Sequence, residues 1–398
     1  MNILIINTLY KPFVAGGAEK ICEQMAIGLK DKGYNVDILT TYDNKFSSVQ
    51  IDYIDGLKVY RVPIKNIYWH YNKCSKPIYK RIFWHITDIY NILMIREIKK
   101  ILDITNYDIA ITHNIVGFSS SIWQVLRVYK IPIIHVLHDL YLVCPVSTMF
   151  KNEKNCEKRC FKCYVFRFFH PYFSNKVAAV VGVSKYVLDK NLQYKLFKKT
   201  KIKTFIHNVL KYDKLPEFVF LNDHNLFLGY IGSLTPSKGI EYLLDIMLSL
   251  TAFQVVLLVA GKGNLFYENY LKEKYKFKNI IFLGYQDPSN FFKKINCLVV
   301  PSLGNDTFPT VILESFVHGV PVIASKVGGI PEIVNDSNGF LFDPKNNQEL
   351  RNIILSIIKN REIINSKIKY ILDNRHKYIN WKKWIEDYEN IIFKVKNI

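Results

Sequence analysis

The chain contains no long apolar run. Nothing among its 398 residues approaches the roughly 20 consecutive apolar positions that a membrane-spanning helix requires. Residues 1–7 lack a positively charged start, so their short apolar stretch is expected to be a buried strand and not a secretion signal. Both absences point to a cytoplasmic location, including peripheral attachment to the inner face of the cell membrane. No internal repeat or low-complexity tract is present, which excludes a repeat array. Acid is in short supply: 34 Asp and Glu stand against 54 Lys and Arg, a formal charge of +20. Such an excess suits nucleic acid, an anionic membrane surface or anionic substrates, and Lys/Ile/Asn-rich usage alone also produces it. The bases are spread along the chain without any nucleic-acid-binding motif, so nucleic acid is not an expected partner. Cysteine numbers only seven. Without a secretion signal, disulfides are the disfavoured use for them.

What is present favours two buried parallel sheets. The length exceeds one ordinary core, and 49% of residues are hydrophobic. A continuous apolar strand is expected at 2–7, with further strands at 35–40, 108–112, 132–137, 177–183 and 201–206, and again at 226–231, 254–259, 280–283, 297–300 and 320–325. The segment 207–224, with Pro216 and no period, reads as a linker. The domains are therefore expected at 1–206 and 225–378, with a final helix at 379–398. Gly16 and Gly17, between the first strand and a helix through Ile21, Met25 and Leu29, would let bare backbone approach an anion. His113 and His138 follow strands at the edge where open α/β sheets bind ligands.

Residues 300–332 carry the most specific signal. Thr307 is expected to cap a helix that has Pro309 in its first turn and ends near His318 before Gly319. Asp306 then sits at the helix mouth and Glu314 two turns inside, with backbones about 12 Å apart. That is too far for two carboxylates to share a proton. It suits two ends of one extended ligand, with an anionic middle on the free N–H groups of the helix's first turn, and Phe308, Pro309, Thr310 and Val311 are the donor-binding candidates there. A nucleotide-sugar has that layout, and the spacing fits equally a βαβ unit whose Asp and Glu are merely solvated.

Here the sequence resembles the family 4 retaining glycosyltransferases. The resemblance rests on Asp306-x7-Glu314, the following Ser-Phe-Val-His-Gly-Val-Pro-Val-Ile-Ala-Ser and Gly-Gly-Ile-Pro-Glu, and the Gly-Gly-Ala-Glu loop at Gly16. It implies the GT-B fold, two Rossmann-like α/β domains with parallel sheets facing across a cleft. It also implies a nucleotide-sugar co-substrate, a glycan or lipid-linked hydroxyl acceptor, and no metal required for catalysis. By this resemblance Glu314 binds the ribose, Asp306 faces the donor sugar, His138 lies beside the reacting sugar and His113 flanks the acceptor side. Gly232, Ser233, Lys238 and Gly261 would line the donor, with Lys238 on the diphosphate. Two positions depart from the family pattern: Asp306 replaces a glutamate and Ser233 an arginine. A nucleotide-sugar epimerase or sugar phosphorylase on the same fold is the alternative within enzymes. A non-catalytic basic scaffold of a glycan-assembly complex is the alternative outside them.

Two further stretches stand apart. An irregular insert at about 140–174 holds Cys144, Cys156, Cys160 and Cys163, a thiolate set that can supply tetrahedral structural zinc; unligated thiols fit equally. A similar insert recurs in a branch of the family. Cys22, Cys74 and Cys297 read as isolated buried residues. Residues 62–102 are rich in rings and bases, among them Tyr68, Trp69, Lys76, Lys80, Arg81, Phe83 and Trp84. That composition suits a membrane-facing or acceptor-facing surface; the lack of a clean polar face favours rings packed inward.

Overall fold

The computed structural model describes residues 1–43, 45–71, 76–221 and 224–397. They form two compact units: unit 1 is Met1–Met149, Glu157–His207 and Lys382–Ile398, and unit 2 is Phe150–Cys156 and Asn208–Trp381. Cys74 lies outside the described residues.

Unit 1 runs β1 (Asn2–Ile6), α1 (Gly17–Asp31), β2 (Asn35–Tyr42), β3 (Gln50–Ile54), β4 (Leu57–Pro63), α2 (Ile78–Thr87), α3 (Ile92–Leu102), β5 (Ile109–Thr112), α4 (Ser121–Val128) and β6 (Ile133–Leu137). The chain then forms the short hairpin β7 (Phe150–Lys151) and β8 (Lys154–Asn155), which is grouped with unit 2. Unit 1 resumes with α5 (Phe161–Phe166), α6 (His170–Ser174), β9 (Ala179–Gly182), α7 (Lys185–Gln193) and β10 (Ile202–Phe205). Its sheet has the order β10-β9-β6-β5-β1-β2-β4-β3, parallel except at the β3–β4 edge. Ile3 to Ile6, Ile109, Ile111, Ile133 and Ile134 are fully buried. Unbroken burial along β1 is what a sheet covered on both faces produces, and it is why these strands read as continuous apolar runs.

Unit 2 continues with β11 (Leu226–Ile231), α8 (Ile240–Leu248), β12 (Val255–Ala260), α9 (Leu265–Lys274), β13 (Ile280–Gly284), α10 (Pro288–Phe292), β14 (Cys297–Val300), α11 (Thr310–Val317), β15 (Val322–Ser325), β16 (Gly339–Phe342), α12 (Asn347–Lys359) and α13 (Glu362–Asn374). Its sheet order is β13-β12-β11-β14-β15-β16, all parallel. This is the doubly wound Rossmann order, with the reversal between β11 and β14. Leu228, Leu257, Val299 and Ile323 of the strands pack with Leu243, Leu244 and Met247 of α8 and with Ile354 and Ile357 of α12. The last helix, α14 (Trp381–Lys396), buries Trp384, Ile385, Tyr388, Ile391, Ile392 and Val395, one face at helical spacing. Within unit 1, Lys396 Nζ lies 3.1 Å from Asp108 Oδ1 and Lys32 Nζ 3.6 Å from Glu389 Oε2.

The stretch expected to pack its rings inward does so only in part. Trp69 and Trp84 are buried, whereas Tyr79 and Phe83 of α2 stand on an exposed face. Cys22 and Cys297 are buried, as expected of small core residues.

Candidate active site

In unit 2, loops leave the carboxyl ends of β11, β12, β14 and β15 around the point where the strand order reverses. Ligands of open α/β sheets bind at that position. The loops are sewn together by backbone. Leu234 N donates to Lys262 O (2.9 Å), Leu303 N and Gly304 N both donate to Ser237 O (3.0 and 2.8 Å), and Gly329 N donates to Asp306 O (2.8 Å). Close approaches of backbone here exclude a side chain. At Gly261 (φ +138°) an added Cβ would lie 1.8 Å from Gly232 O; at Gly328 (φ +58°) it would lie 2.0 Å from Asp306 O.

This scaffold brings two of the expected residues into contact. Lys238 Nζ lies 2.6 Å from Asp306 Oδ2, and Ser302 Oγ donates to the same oxygen at 3.0 Å. Tyr230 OH donates to Ser233 O (2.7 Å), which fixes the backbone of the loop after β11. Ser302 was not singled out in the sequence; its only signal is a position four residues before Asp306. The Gly328–Gly329 turn was visible only as part of the motif.

The helix after the motif begins later than expected. Pro309 (φ −69°, ψ 112°) is the N-cap of α11 and Thr310 its first residue; Thr307 does not cap it. A proline disfavours helical geometry in the residue before it, so Phe308 stays out of the helix and no turn forms on 307–309. The 12 Å separation drawn from a continuous helical rise therefore does not apply, and Glu314 lies little more than one turn inside α11. Phe308 and Pro309 are buried. Thr310, Val311 and Glu314 are half-buried on one face, while Ile312, Leu313, Phe316 and Val317 bury the other.

In unit 1, β1 leads into the Gly16–Gly17 loop and α1. Gly16 N donates to Glu19 Oε2 at 2.8 Å, so one amide of the expected anion site is already met by the chain's own carboxylate. Burial raises the pKa of Glu19. The loops after β5 and β6 bring His113 and His138 together: Nδ1 of His113 and Nε2 of His138 are 2.8 Å apart, with the rings stacked at 5.1 Å. Burial depresses both, His138 to about 4, so the shared hydrogen bond joins two neutral imidazoles at pH 7. A third ring, His135 within β6, was not anticipated. Its Nδ1 is 2.8 Å from Thr112 Oγ1 and burial holds it near 3, which marks it as a core hydrogen-bonder.

The cysteine insert is anchored by a buried network that the sequence did not announce. Tyr141 OH donates to Asp88 Oδ2 (2.6 Å), Gly117 N to Asp88 Oδ1 (2.8 Å), and Arg167 Nε to Tyr141 O (2.8 Å). Arg167 Nη2 lies 3.5 Å from Asp88 Oδ2, and both side chains are wholly shielded from solvent. Burial lifts the Asp88 carboxyl to about 6 against the pull of Arg167. Of the four insert cysteines, Cys144, Cys160 and Cys163 meet. Cys160 Sγ is 3.6 Å from Cys163 Sγ; hydrogen bonding with Cys163 holds the Cys144 thiol down to about 6, and the same interaction pushes the Cys163 thiol well up. The described cysteines form no disulfide, and among the described residues no group of three His, Cys, Asp or Glu is disposed to hold a metal ion.

Comparison with known proteins accounts for both units. Residues 15–208 match the family model described as Glycosyltransferase Family 4, and residues 225–360 match that of Glycosyl transferases group 1. The chain is 30% identical over 337 residues to an uncharacterized 42.6 kDa protein in the cps region of Klebsiella pneumoniae, covering 84% of this chain and 87% of that one. It is 29% identical over 204 residues to the Staphylococcus aureus capsular polysaccharide biosynthesis glycosyltransferase CapM, covering 45% and 53%. Its fold resembles that of Anabaena HepE, solved in complex with UDP-glucose, with a TM-score of 0.69, 17% identity and 98% and 99% coverage. That last likeness is one of fold. Taken with the two Rossmann-like sheets and the loops that carry the motif, these matches show that the chain belongs to the family 4, group 1 glycosyltransferases of GT-B fold.

Proposed function

We propose that this glycosyltransferase moves a sugar from a nucleotide-sugar to a hydroxyl of a glycan or lipid-linked acceptor, with retention of configuration, in the cytoplasmic assembly of a surface polysaccharide or glycolipid. The observation that carries the proposal is the Lys238–Asp306–Ser302 cluster set beside α11 at the switch point of the unit 2 sheet. UDP-glucose in HepE supports the donor class, and the name of CapM supports the glycan context.

The roles follow from charge and position. Glu314, on the open face of α11 with Thr310 and Val311, accepts hydrogen bonds from ribose hydroxyls. Lys238 and the loop amides near Gly232, Ser233 and Gly261 meet the diphosphate, for which Lys238 exchanges its bond to Asp306. Asp306, released in that exchange, accepts from the donor sugar. Donors aimed at a separating diphosphate stabilise charge that develops only in the transition state. The bond from the anomeric carbon to the leaving oxygen breaks as the acceptor oxygen bonds to the same face, and the leaving oxygen takes the acceptor proton. His138, held neutral and braced by His113, serves the reacting sugar as an uncharged hydrogen-bonding group. The Gly16–Gly17 loop is assigned to the donor as well.

Glu314→Gln should weaken nucleotide-sugar binding by about 10- to 100-fold, the loss of a charged acceptor worth about 1.5–3 kcal/mol. Titration with a nucleotide-sugar panel, screened first by thermal shift, measures it. Wild-type affinity in a folded variant would remove Glu314 from the donor site. Transfer of the sugar to a hydroxyl acceptor, with release of the nucleoside diphosphate, separates this reading from an epimerase, a phosphorylase or a non-catalytic scaffold.

For the insert we propose structural zinc on Cys144, Cys156, Cys160 and Cys163. The 3.6 Å between Cys160 and Cys163 sulfurs approaches the edge of about 3.8 Å that a tetrahedron of zinc–thiolate bonds requires. Closing the set requires the sulfurs to move and the four thiols to give up their protons. Purified protein is expected to hold about one zinc per chain. Metal analysis that finds none, with four thiols titrating under native conditions, would end this proposal.

A further inference from the structure

The exposed face of α2 is apolar. Ile78, Tyr79, Ile82, Phe83 and Ile86 are 46–73% exposed, and at helical spacing they form one stripe opposite Trp84, the buried residue of this helix. The amphipathic order is thus inverted: the helix is held by a tryptophan and shows its aliphatic side to the outside. Across from it, α5, α6 and the residues between them in the cysteine insert present Phe161 (82% exposed), Phe168, Phe169 and Tyr172 in the same way. The two segments are joined. His85 packs on Phe166 with ring centroids 5.4 Å apart, Tyr90 stacks on Phe173 at 4.8 Å, and the buried Asp88–Arg167 pair lies between them.

Charge on this surface has a single sign. Residues 76–87 and 161–176 contain no Asp or Glu, and they carry Lys76, Lys80, Arg81, Lys162 and Lys176 besides the buried Arg167; Lys176 lies over the Tyr172 ring. Contiguous exposed apolar area of this kind marks an interaction surface. Protein interfaces are depleted in lysine, and a second copy of this chain would set like charges against each other. An apolar face rimmed with lysine and rich in rings fits the boundary between anionic headgroups and acyl chains.

We infer that α2 and the insert helices α5 and α6 form one docking surface for an anionic lipid membrane, with rings entering the interface and lysines on the headgroups. The inference deepens the proposed transfer to a lipid-linked acceptor, and it assigns the cysteine insert the task of presenting half of that surface. Its test is read without donor or acceptor, so a failure of the transferase reading leaves it standing.

The full chain is sedimented with vesicles of equal parts phosphatidylcholine and phosphatidylglycerol, and with phosphatidylcholine alone. Wild type should bind the first and not the second, and binding should weaken steeply between about 0.05 and 0.5 M salt as the charges are screened. Each base near such a surface contributes a factor of roughly five, so Lys80→Glu/Arg81→Glu/Lys162→Glu should lose about a hundredfold or more. Phe83→Ser/Phe168→Ser should lose the binding that survives high salt. Lys198→Glu/Lys199→Glu/Lys201→Glu, exposed bases elsewhere on unit 1, control for net charge and should lose far less. Folding of each variant is checked by its melting curve. Equal loss in the control would reduce the effect to a general basic surface and overturn the assignment. So would absent vesicle binding, or a wild-type dimer in solution that Phe83→Ser/Phe168→Ser converts to monomer.

Discussion

Replacing Arg167 with methionine should lower the stability of unit 1 by about 3–5 kcal/mol, because it leaves the Asp88 carboxylate buried without its cation. For a unit of this size that corresponds to a fall in melting temperature on the order of 10 °C. The pH dependence identifies the cause. Asp88 in the folded chain titrates near 6, above the ordinary value for an aspartate, because burial outweighs the attraction of Arg167. A raised carboxyl contributes stability that is fully present below the unfolded pKa and is lost as pH rises through the folded value. Removing Arg167 takes away a lowering influence, so the folded value climbs further and the loss widens. The deficit of Arg167→Met relative to wild type should therefore grow from pH 5 to pH 8. Asp88→Asn added to Arg167→Met should recover much of the difference, since no unpaired charge then remains. Thermal melts at the two pH values measure both. A deficit independent of pH would show that Arg167 acts only through its packing on Tyr141, whose ring lies 4.3 Å from the guanidinium.

Lys238→Ala should weaken nucleoside diphosphate binding by about 10- to 100-fold, the range for losing one charge-assisted hydrogen bond. Stability should change little. The Lys238 side chain is 40% exposed, and ion pairs so open to water contribute about 0–1 kcal/mol. The contrast separates a binding role from a structural one. Lys238→Arg keeps the charge and should retain more affinity than the alanine variant; calorimetric titration with the diphosphate and a melting curve on each variant report the two quantities. Undiminished affinity in Lys238→Ala would reassign the lysine to holding Asp306 alone.

Those two residues also show where sequence reasoning reaches its limit. Parallel strands were legible where burial on both faces makes a nearly unbroken apolar run: β1, β6 and β12 fell where their patterns put them. The loops at strand ends were legible through glycine, whose backbone freedom has few other uses. The β3–β4 hairpin was not, since an edge strand with Ile51 and Tyr53 exposed carries no clear alternation. The start of α11 was misplaced because Thr-x-Pro reads as a cap followed by a first-turn proline, while the same proline restrains the residue before it. Lys238 and Asp306 were each singled out, but as separate partners of a ligand. Nothing in a linear pattern shows that residues 68 apart share an ion pair. Asp88 and Arg167, 79 apart, were not singled out at all. Their pairing is a property of the folded insert, which has no periodicity of its own.

The approach of Gly328 to the Asp306 carbonyl has a consequence for how this chain can vary. The course of these loops is set by main chain, and any side chain at residue 328 or 261 would occupy space already held by a carbonyl oxygen. In a saturation library the fragile positions would therefore be those with nothing to remove, where every substitution adds atoms, and alanine scanning of the charged residues alone would understate how tightly the loops are specified.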